Sequence, residues 1–168
     1  VTHVDGYVGN FTTTVKSKGR LRTIKHGAAI IATGAAEYKP TEYLYGQNDK
    51  VMTLLEMEGK LATQDERLMA AESVVMIQCV GCRNEDRNYC SRVCCSGAMK
   101  NALKMKELKP EVEIYVLFRD IRTYGFREDY YLKASNQDVK FIRYEPEDKP
   151  LLEAREEKNL LRLRKQLS

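Results

Sequence analysis

The residues able to do chemistry in this chain are five cysteines, Cys79, Cys82, Cys90, Cys94 and Cys95. All lie between Val74 and Lys104, and none occurs elsewhere in the 168 residues. An apolar run, Val74 to Ile77, leads straight into Cys79, and a helix-like segment starts at the Cys94-Cys95 pair. Thiols gathered between a buried strand and a helix N-terminus point to a metal or redox site. A disulfide framework fits poorly, because the count is odd and no secretory signal is read in the sequence. Structural zinc sites usually bring two separated C-x2-C knuckles, and here only Cys79 and Cys82 form one. The other end is C-x3-C-C, whose adjacent cysteines can bind different corners of a cuboidal cluster. We therefore read the thiols as iron–sulfur ligands, with zinc and a disulfide left open. The ferredoxin run C-x2-C-x2-C-x3-C-P is absent, so spacing alone does not name the cluster type.

Electrostatics is consistent with a bound anion. A four-thiolate cluster is negative, while a helix N-terminus offers unpaired N–H groups and the positive end of the dipole. Arg83, Arg87, Arg92 and Lys100 add cations nearby in sequence. A competing reading uses Cys79 and Cys82 as the C-x2-C pair of a thiol–disulfide oxidoreductase. It leaves three cysteines without a role.

The elements that must position these thiols can be read from periodicity. Residues 1–25 read as antiparallel strands: Tyr7, Phe11, Thr13 and Val15 share a period-two face, and Gly19 suits a turn before a return strand at Leu21 to Ile24. His3 and His26 read as strand-end residues, not ligands. Ala28 to Ala32 is a short continuous apolar run, as expected of a parallel strand buried on both faces. It ends in Thr33-Gly34, where a missing Cβ permits close backbone approach to a ligand. Residues 40–50 read as a polar crossover and Val51 to Leu61 as a helix, with Met52, Met57 and Met69 as core filler. Val74 to Gln78, Ala98 to Leu108, Val112 to Phe118, Glu128 to Ala134 and Val139 to Tyr144 then alternate strand and helix. That order implies a parallel sheet with right-handed crossovers. A dinucleotide site would show G-x-G-x-x-G after the first strand, whereas this turn offers Gly81 alone, so a pyridine nucleotide is not expected. Arg119 and Arg122 are expected to face the cluster, a partner or acidic neighbours such as Asp120 and Glu128. The tail 151–168 is leucine-rich and loosely helical in spacing, and is assigned no chemistry.

Composition narrows the classes. The chain is 43% apolar and 31% charged, enough for an ordinary globular core. Its net charge of +4 is too small to argue for nucleic acid. No apolar run approaches the roughly 18 residues of a membrane span. Unpaired thiols suggest a reducing cytoplasm. The chain opens in mid-hairpin without Met and reads as a fragment.

Four segments resemble a known family: C-V-G-x-R at Cys79–Arg83, Y-C-S-R-V-C-C at Tyr89–Cys95, the A-x-K-N-A-L-K-x-K helix from Ala98, and Y-V-L-F-R-D-I-R-T-Y-G-F-R-E from Tyr115. Together they closely resemble the heterodisulfide reductase A subunits, which are flavin- and iron–sulfur-containing electron-transfer proteins. The resemblance runs from about Val4 to Pro150. It implies an α/β fold: part of a two-dinucleotide-binding-domain, thioredoxin-reductase-like flavoprotein, with a parallel Rossmann-like sheet plus a small antiparallel β meander. Residues 1–40 would close an FAD-binding domain, 41–150 would form the Rossmann-like domain carrying the cysteines, and 151–168 would be an unassigned tail. By the same resemblance Cys79, Cys90, Cys94 and Cys95 would hold a [4Fe-4S] cluster, and Ala32, Thr33 and Gly34 would contact FAD. The family usually has serine where this chain has Cys82, so the role of Cys82 stays open. Implied partners are the disulfide-reducing subunits of a heterodisulfide reductase-like complex, hydrogenase or formate dehydrogenase as electron donors, and ferredoxin, in a homo- or hetero-oligomer. The implied role is passage of electrons between FAD and the cluster, with flavin-based bifurcation among its forms, during reduction of a disulfide or related acceptor by the partners.

Overall fold

Three short strands open the chain, alternating enough to pair but too exposed to build a core. The computed structural model describes residues 1–155 and 160–164. It divides into two units, Val1–Ala36 and Glu37 onward. In the first, β1 (His3–Tyr7), β2 (Asn10–Ser17) and β3 (Arg20–His26) form an antiparallel sheet in the order β1-β2-β3. Thr13 of β2 is its one buried polar residue, and its hydroxyl meets His26 Nε2 at 2.7 Å. His26 Nδ1 lies 2.7 Å from the Ala28 carbonyl, which can only accept. The ring proton therefore sits on Nδ1, and Phe11 stacks on the ring at 5.6 Å. His26 thus closes the sheet as a strand-end residue.

The run Ala28 to Ala32 does not form the buried parallel strand expected from its composition. Residues 28–36 carry no regular structure and are exposed, with Ile30 and Ile31 at 91% and 89%. A strand buried on both faces needs flanking strands and covering helices. The first unit offers only the antiparallel β1-β2-β3 sheet, with which this run does not pair.

The second unit is an α/β layer. Its sheet is parallel, with β5 (Glu113–Phe118) in the centre, β4 (Ser73–Ile77) on one side and β6 (Lys140–Arg143) on the other. Ile114, Val116 and Leu117 of β5 are buried, as a central strand requires. Between β4 and β5 runs α3 (Val93–Leu108), and between β5 and β6 runs α4 (Glu128–Asn136). Cys95, Ala98, Met99, Ala102 and Met105 make the buried stripe of α3 at helical spacing. Ala98, Met99, Ala102 and Met105 join Met76, Val112, Ile114, Val116, Ala134 and Val139 in one core. Two earlier helices, α1 (Leu54–Thr63) and α2 (Glu66–Met69), add Met57, Leu61 and Leu68 to it.

Two sequence expectations shift here. The helix before β5 begins at Val93, not Ala98, so both paired cysteines lie in its first turn. The leucine-rich tail is not helical where described: β7 (Leu151–Arg155) pairs antiparallel with β8 (Leu160–Arg164). Leu161, Arg162, Leu163 and Arg164 alternate apolar and charged, a two-residue pattern that suits a paired strand. The rest of the tail lies outside the described residues. Among the described residues no helix is long and apolar enough to cross a membrane.

Segment 37–50 is fastened to both α1 and the turn after β4. Thr53 and Glu56 form a reciprocal capping box at the start of α1, at 3.2 and 2.8 Å. Glu56 also accepts from Lys39 and Tyr45, each at 2.8 Å. The Lys39 contact chiefly, then the Thr53 N–H and Tyr45, holds its carboxyl down at about 2. The contribution of Glu56 is accordingly present above its ordinary value of 4.5 and lost as pH falls through 2. Tyr38 lies against Gly81, where a Cβ would run into its ring, and Arg87 stacks over that ring at 4.6 Å.

These contacts fix two stability outcomes. Thr53→Ala removes the cap and should cost about 1 kcal/mol in denaturant unfolding. Gly81→Ala must hold φ +68 with a side chain and displace Tyr38, for a loss of about 2 kcal/mol. In a Tyr38→Ala background the same change should cost less; an unchanged cost would mean that the ring contact is not the constraint.

Candidate metal centre

Apolar residues drive β4 into the sheet as far as Ile77, and the chain then turns sharply. Gln78 still bonds to the sheet, its N–H donating to the Leu117 carbonyl at 2.8 Å. Cys79 adopts the left-handed conformation, φ +64. For a residue with a Cβ this costs about 1–2 kcal/mol and needs support. Tyr144, buried just after β6, supplies it by donating its hydroxyl to the Gln78 carbonyl at 2.6 Å. Burial chiefly, then the neighbouring Cys79, pushes the Tyr144 hydroxyl well up, so it remains a donor. The strand thus releases Cys79 at the C-terminal edge of the sheet, where open α/β folds place their ligands.

A second left-handed residue, Arg92 at φ +62, precedes α3 and leaves its N-terminus without a side-chain cap. Cys94 and Cys95 stand in that first turn with their thiols in hydrogen-bond contact. The Cys94 S–H donates, so its thiol is pushed up by that bond and by burial. Cys95 is pushed down by accepting from Cys94, with a further backbone N–H from Arg122. The Cys95 sulfur also lies 3.8 Å from the Asp120 carbonyl, to which its S–H can donate.

The loop between these two ends carries Cys82 and Cys90. Asn84 and Arg87 close it, with Arg83 N–H to Arg87 O at 2.7 Å and Arg87 N–H to Asn84 Oδ1 at 2.8 Å. All five thiols are free. They gather closely enough to act on one another: Cys79 and Cys90 raise Cys94, and they raise Cys82 after the larger effect of its burial. Among the described residues, no three His, Cys, Asp or Glu side chains are grouped as for a single metal ion.

Cations frame the same edge. Arg83, left-handed at φ +58, pairs with Asp120 at 2.7 Å and reaches the Cys79 thiol. Arg119 donates to the Arg83 carbonyl at 3.0 Å. The Arg83 guanidinium, with Arg143 and Arg122 each 3.9 Å from Asp120, holds that carboxyl below its ordinary range. Several arginines thus share one acid. Of the four cations close to the cysteines in sequence, Arg83 interacts with the Cys79 thiol; Arg87 stacks on Tyr38, Lys100 pairs with Glu58, and Arg92 is the exposed residue before α3.

The other anticipated residues, Ala32, Thr33 and Gly34, lie in the first unit on exposed chain without regular structure. Gly34 has φ +69 and open space where a Cβ would stand. Sequence reasoning named Asp120 as an acidic neighbour of Arg122, which the structure places 3.9 Å from it, but missed Gln78, Tyr144 and Tyr38. A polar Gln ending an apolar strand immediately before a cysteine was the one available signal.

No protein-family model matches the chain. It is 42% identical, in an alignment of 153 positions that covers 82% of its length, to the A subunit of the H2/formate:CoB-CoM heterodisulfide,ferredoxin reductase of Methanococcus maripaludis. It is 39% identical over 154 residues to the iron-sulfur A subunit of the CoB–CoM heterodisulfide reductase of Methanocaldococcus jannaschii. With the A subunit of the ferredoxin:CoB-CoM heterodisulfide reductase of Methanosarcina acetivorans it shares 34% over 162 residues. The chain spans about a fifth to a quarter of these relatives, 23%, 23% and 20% respectively. With this identity carried over four-fifths of its own length, the chain belongs to the family of heterodisulfide reductase A subunits, of which it represents one segment.

Proposed function

We propose that this chain binds a [4Fe-4S] cluster through Cys79, Cys90, Cys94 and Cys95 and serves electron transfer in a heterodisulfide reductase-like oxidoreductase. The observation that carries the reading is the all-sulfur donor set spread around one sheet edge. Four thiolates around a single zinc stand about 3.8 Å apart, given bonds of about 2.3 Å in a tetrahedron. A cuboidal cluster is held at four corners, so its thiolates stand wider. The thiols gather closely enough to act on one another, and the adjacent Cys94 and Cys95 suit different corners of a cuboidal cluster.

The surrounding residues fit such a group. An uncapped α3 start leaves N–H donors beside Cys94 and Cys95. Arg83 brings positive charge to Cys79. Ala98 and Met99, both fully buried, make a dry floor one turn below Cys95, and low polarity with limited water is one lever on a cluster's potential. Cys82 is pushed up by burial, the reverse of an attacking thiolate, so the thiol–disulfide alternative is the poorer one. We assign Cys82 no ligand role.

FAD enters through the sequence resemblance. Ala32, Thr33 and Gly34 would offer it backbone groups free of any strand, with Gly34 admitting close approach. When bound, the flavin supplies two-electron chemistry and the cluster one-electron chemistry. The chain's own part is to hold and tune them. The other subunits of a heterodisulfide reductase-like complex would receive the electrons for reduction of a disulfide or related acceptor. Hydrogenase, formate dehydrogenase or ferredoxin would act as donors or carriers, in a cytoplasmic homo- or hetero-oligomer.

The test is a cysteine series reconstituted without oxygen. Cys94→Ser or Cys95→Ser should abolish the broad visible absorption of the cluster, whereas Cys82→Ser should keep most of it. Loss with Cys82→Ser together with retention in Cys79→Ser would overturn the ligand assignment.

A further inference from the structure

Cys79 is flanked by two polar side chains that the protein buries and leaves without partners. Gln78 immediately precedes it, is 2% exposed, and has neither Oε1 nor Nε2 hydrogen-bonded. Arg83, four residues on, uses Nη2 for Asp120 but leaves Nη1 buried and unpartnered. Such a group costs about 1–3 kcal/mol when nothing meets it, and native interiors rarely leave one so. Two more orphans, Asn101 Oδ1 and Asp148 Oδ1, are acceptors. Among the described residues, the unpartnered buried side-chain donors are those of Gln78 and Arg83, the residue before Cys79 and the one four after it.

Their placement on the fold is specific. Met76 faces the core shared with α3, and side chains alternate along a strand. Gln78, two residues further, continues on that face toward the first turn of α3, where Cys95 lies. Arg83 approaches Cys79 from the other end of the turn. Its position is fixed at three points: the Asp120 pair, the Arg119 bond to its carbonyl and the Arg87 bond to its N–H. A guanidinium pinned this firmly, already interacting with the Cys79 thiol and with Nη1 spare, is pre-organised to donate to sulfur held there.

We propose that the Gln78 side-chain amide and Arg83 Nη1 are the hydrogen-bond donors to the sulfur atoms of the group held at Cys79, and that they raise its reduction potential. This rests on the cluster reading above. Sulfur is the acceptor that this site supplies, as thiolate or as inorganic sulfide. A donor to it stabilises the more negative, reduced state, and hydrogen bonds to sulfur are among the factors that set cluster potentials. Both are positioning residues, since neither carries electrons.

Gln78→Met tests the amide without changing charge and with similar volume. Arg83→Lys retains the charge while removing the planar Nη1. Asn101→Leu, elsewhere on α3, controls for the loss of a buried amide. Each form of the 168-residue chain is reconstituted without oxygen, assayed for iron and sulfide, and titrated by EPR against a set potential. Gln78→Met and Arg83→Lys should each hold iron and sulfide and shift the oxidised-to-reduced ratio at a fixed potential about tenfold toward oxidised, about 59 mV for one electron. Asn101→Leu should leave it unchanged. Iron and sulfide present with an unshifted potential in both variants would overturn this inference and leave the cluster reading standing. Wild-type chain without iron and sulfide would overturn the cluster reading itself. If Gln78→Met holds no cluster, pulsed EPR on reduced wild type carrying 15N side-chain glutamine decides: a 15N coupling upholds the donor, and its absence refutes it.

Discussion

The turn at Gln78-Cys79 is the constraint on which the rest of the site depends. A strand driven inward by apolar residues has to stop, reverse its backbone and deliver a thiol to the sheet edge. The left-handed Cys79 is unfavourable by about 1–2 kcal/mol. The buried Tyr144 hydroxyl bond to the Gln78 carbonyl offsets about 1 kcal/mol of that, and the sheet bond from Gln78 N–H to Leu117 O adds to it. Because Tyr144 follows β6 and Gln78 follows β4, this link spans the sheet over the end of β5. Correct assembly of three parallel strands is therefore a condition for presenting Cys79. Left-handed Cys79, Arg83 and Arg92 all border the thiols, as expected where backbone strain is kept for a site and not relaxed.

Charge and burial act together around that turn. Asp120 is the anchor for Arg83, and its own ionisation is secured by the arginines around it. Cys95 receives N–H donors from the α3 start and from Arg122. A buried anion is tolerable only when paired and hydrogen-bonded, and these groups supply pairing before any ligand arrives. The apolar stripe of α3 fixes the helix to the sheet, so Cys94 and Cys95 are positioned by packing as much as by their own contacts.

The strand–helix alternation after Glu72 was legible because each segment repeats its burial pattern locally. Val74, Met76, Ile114, Val116 and Met105 declare their faces by spacing alone. Clustering of cysteines was equally plain. What the sequence hid was mostly non-local: the bond between Tyr144 and Gln78 joins residues 66 apart, and Tyr38 finds Gly81 across two helices. The helix-like start at the Cys94-Cys95 pair falls one residue from the observed Val93, whereas the range from Ala98 is too short, because cysteine, valine and serine are weak helix formers that the packed stripe below carries into the helix. Ala28 to Ala32 shows the opposite error. Its composition suits a buried strand, but composition cannot provide the neighbouring strands that burial requires, and Ile30 and Ile31 stay exposed.

Metal analysis of the anaerobically purified chain is the most direct measurement of the central claim. Iron and acid-labile sulfide should both appear at about four per chain, the content of one cubane, with an EPR signal on reduction by dithionite. One zinc per chain, or a metal-free protein that consumes reductant as a disulfide, would contradict it.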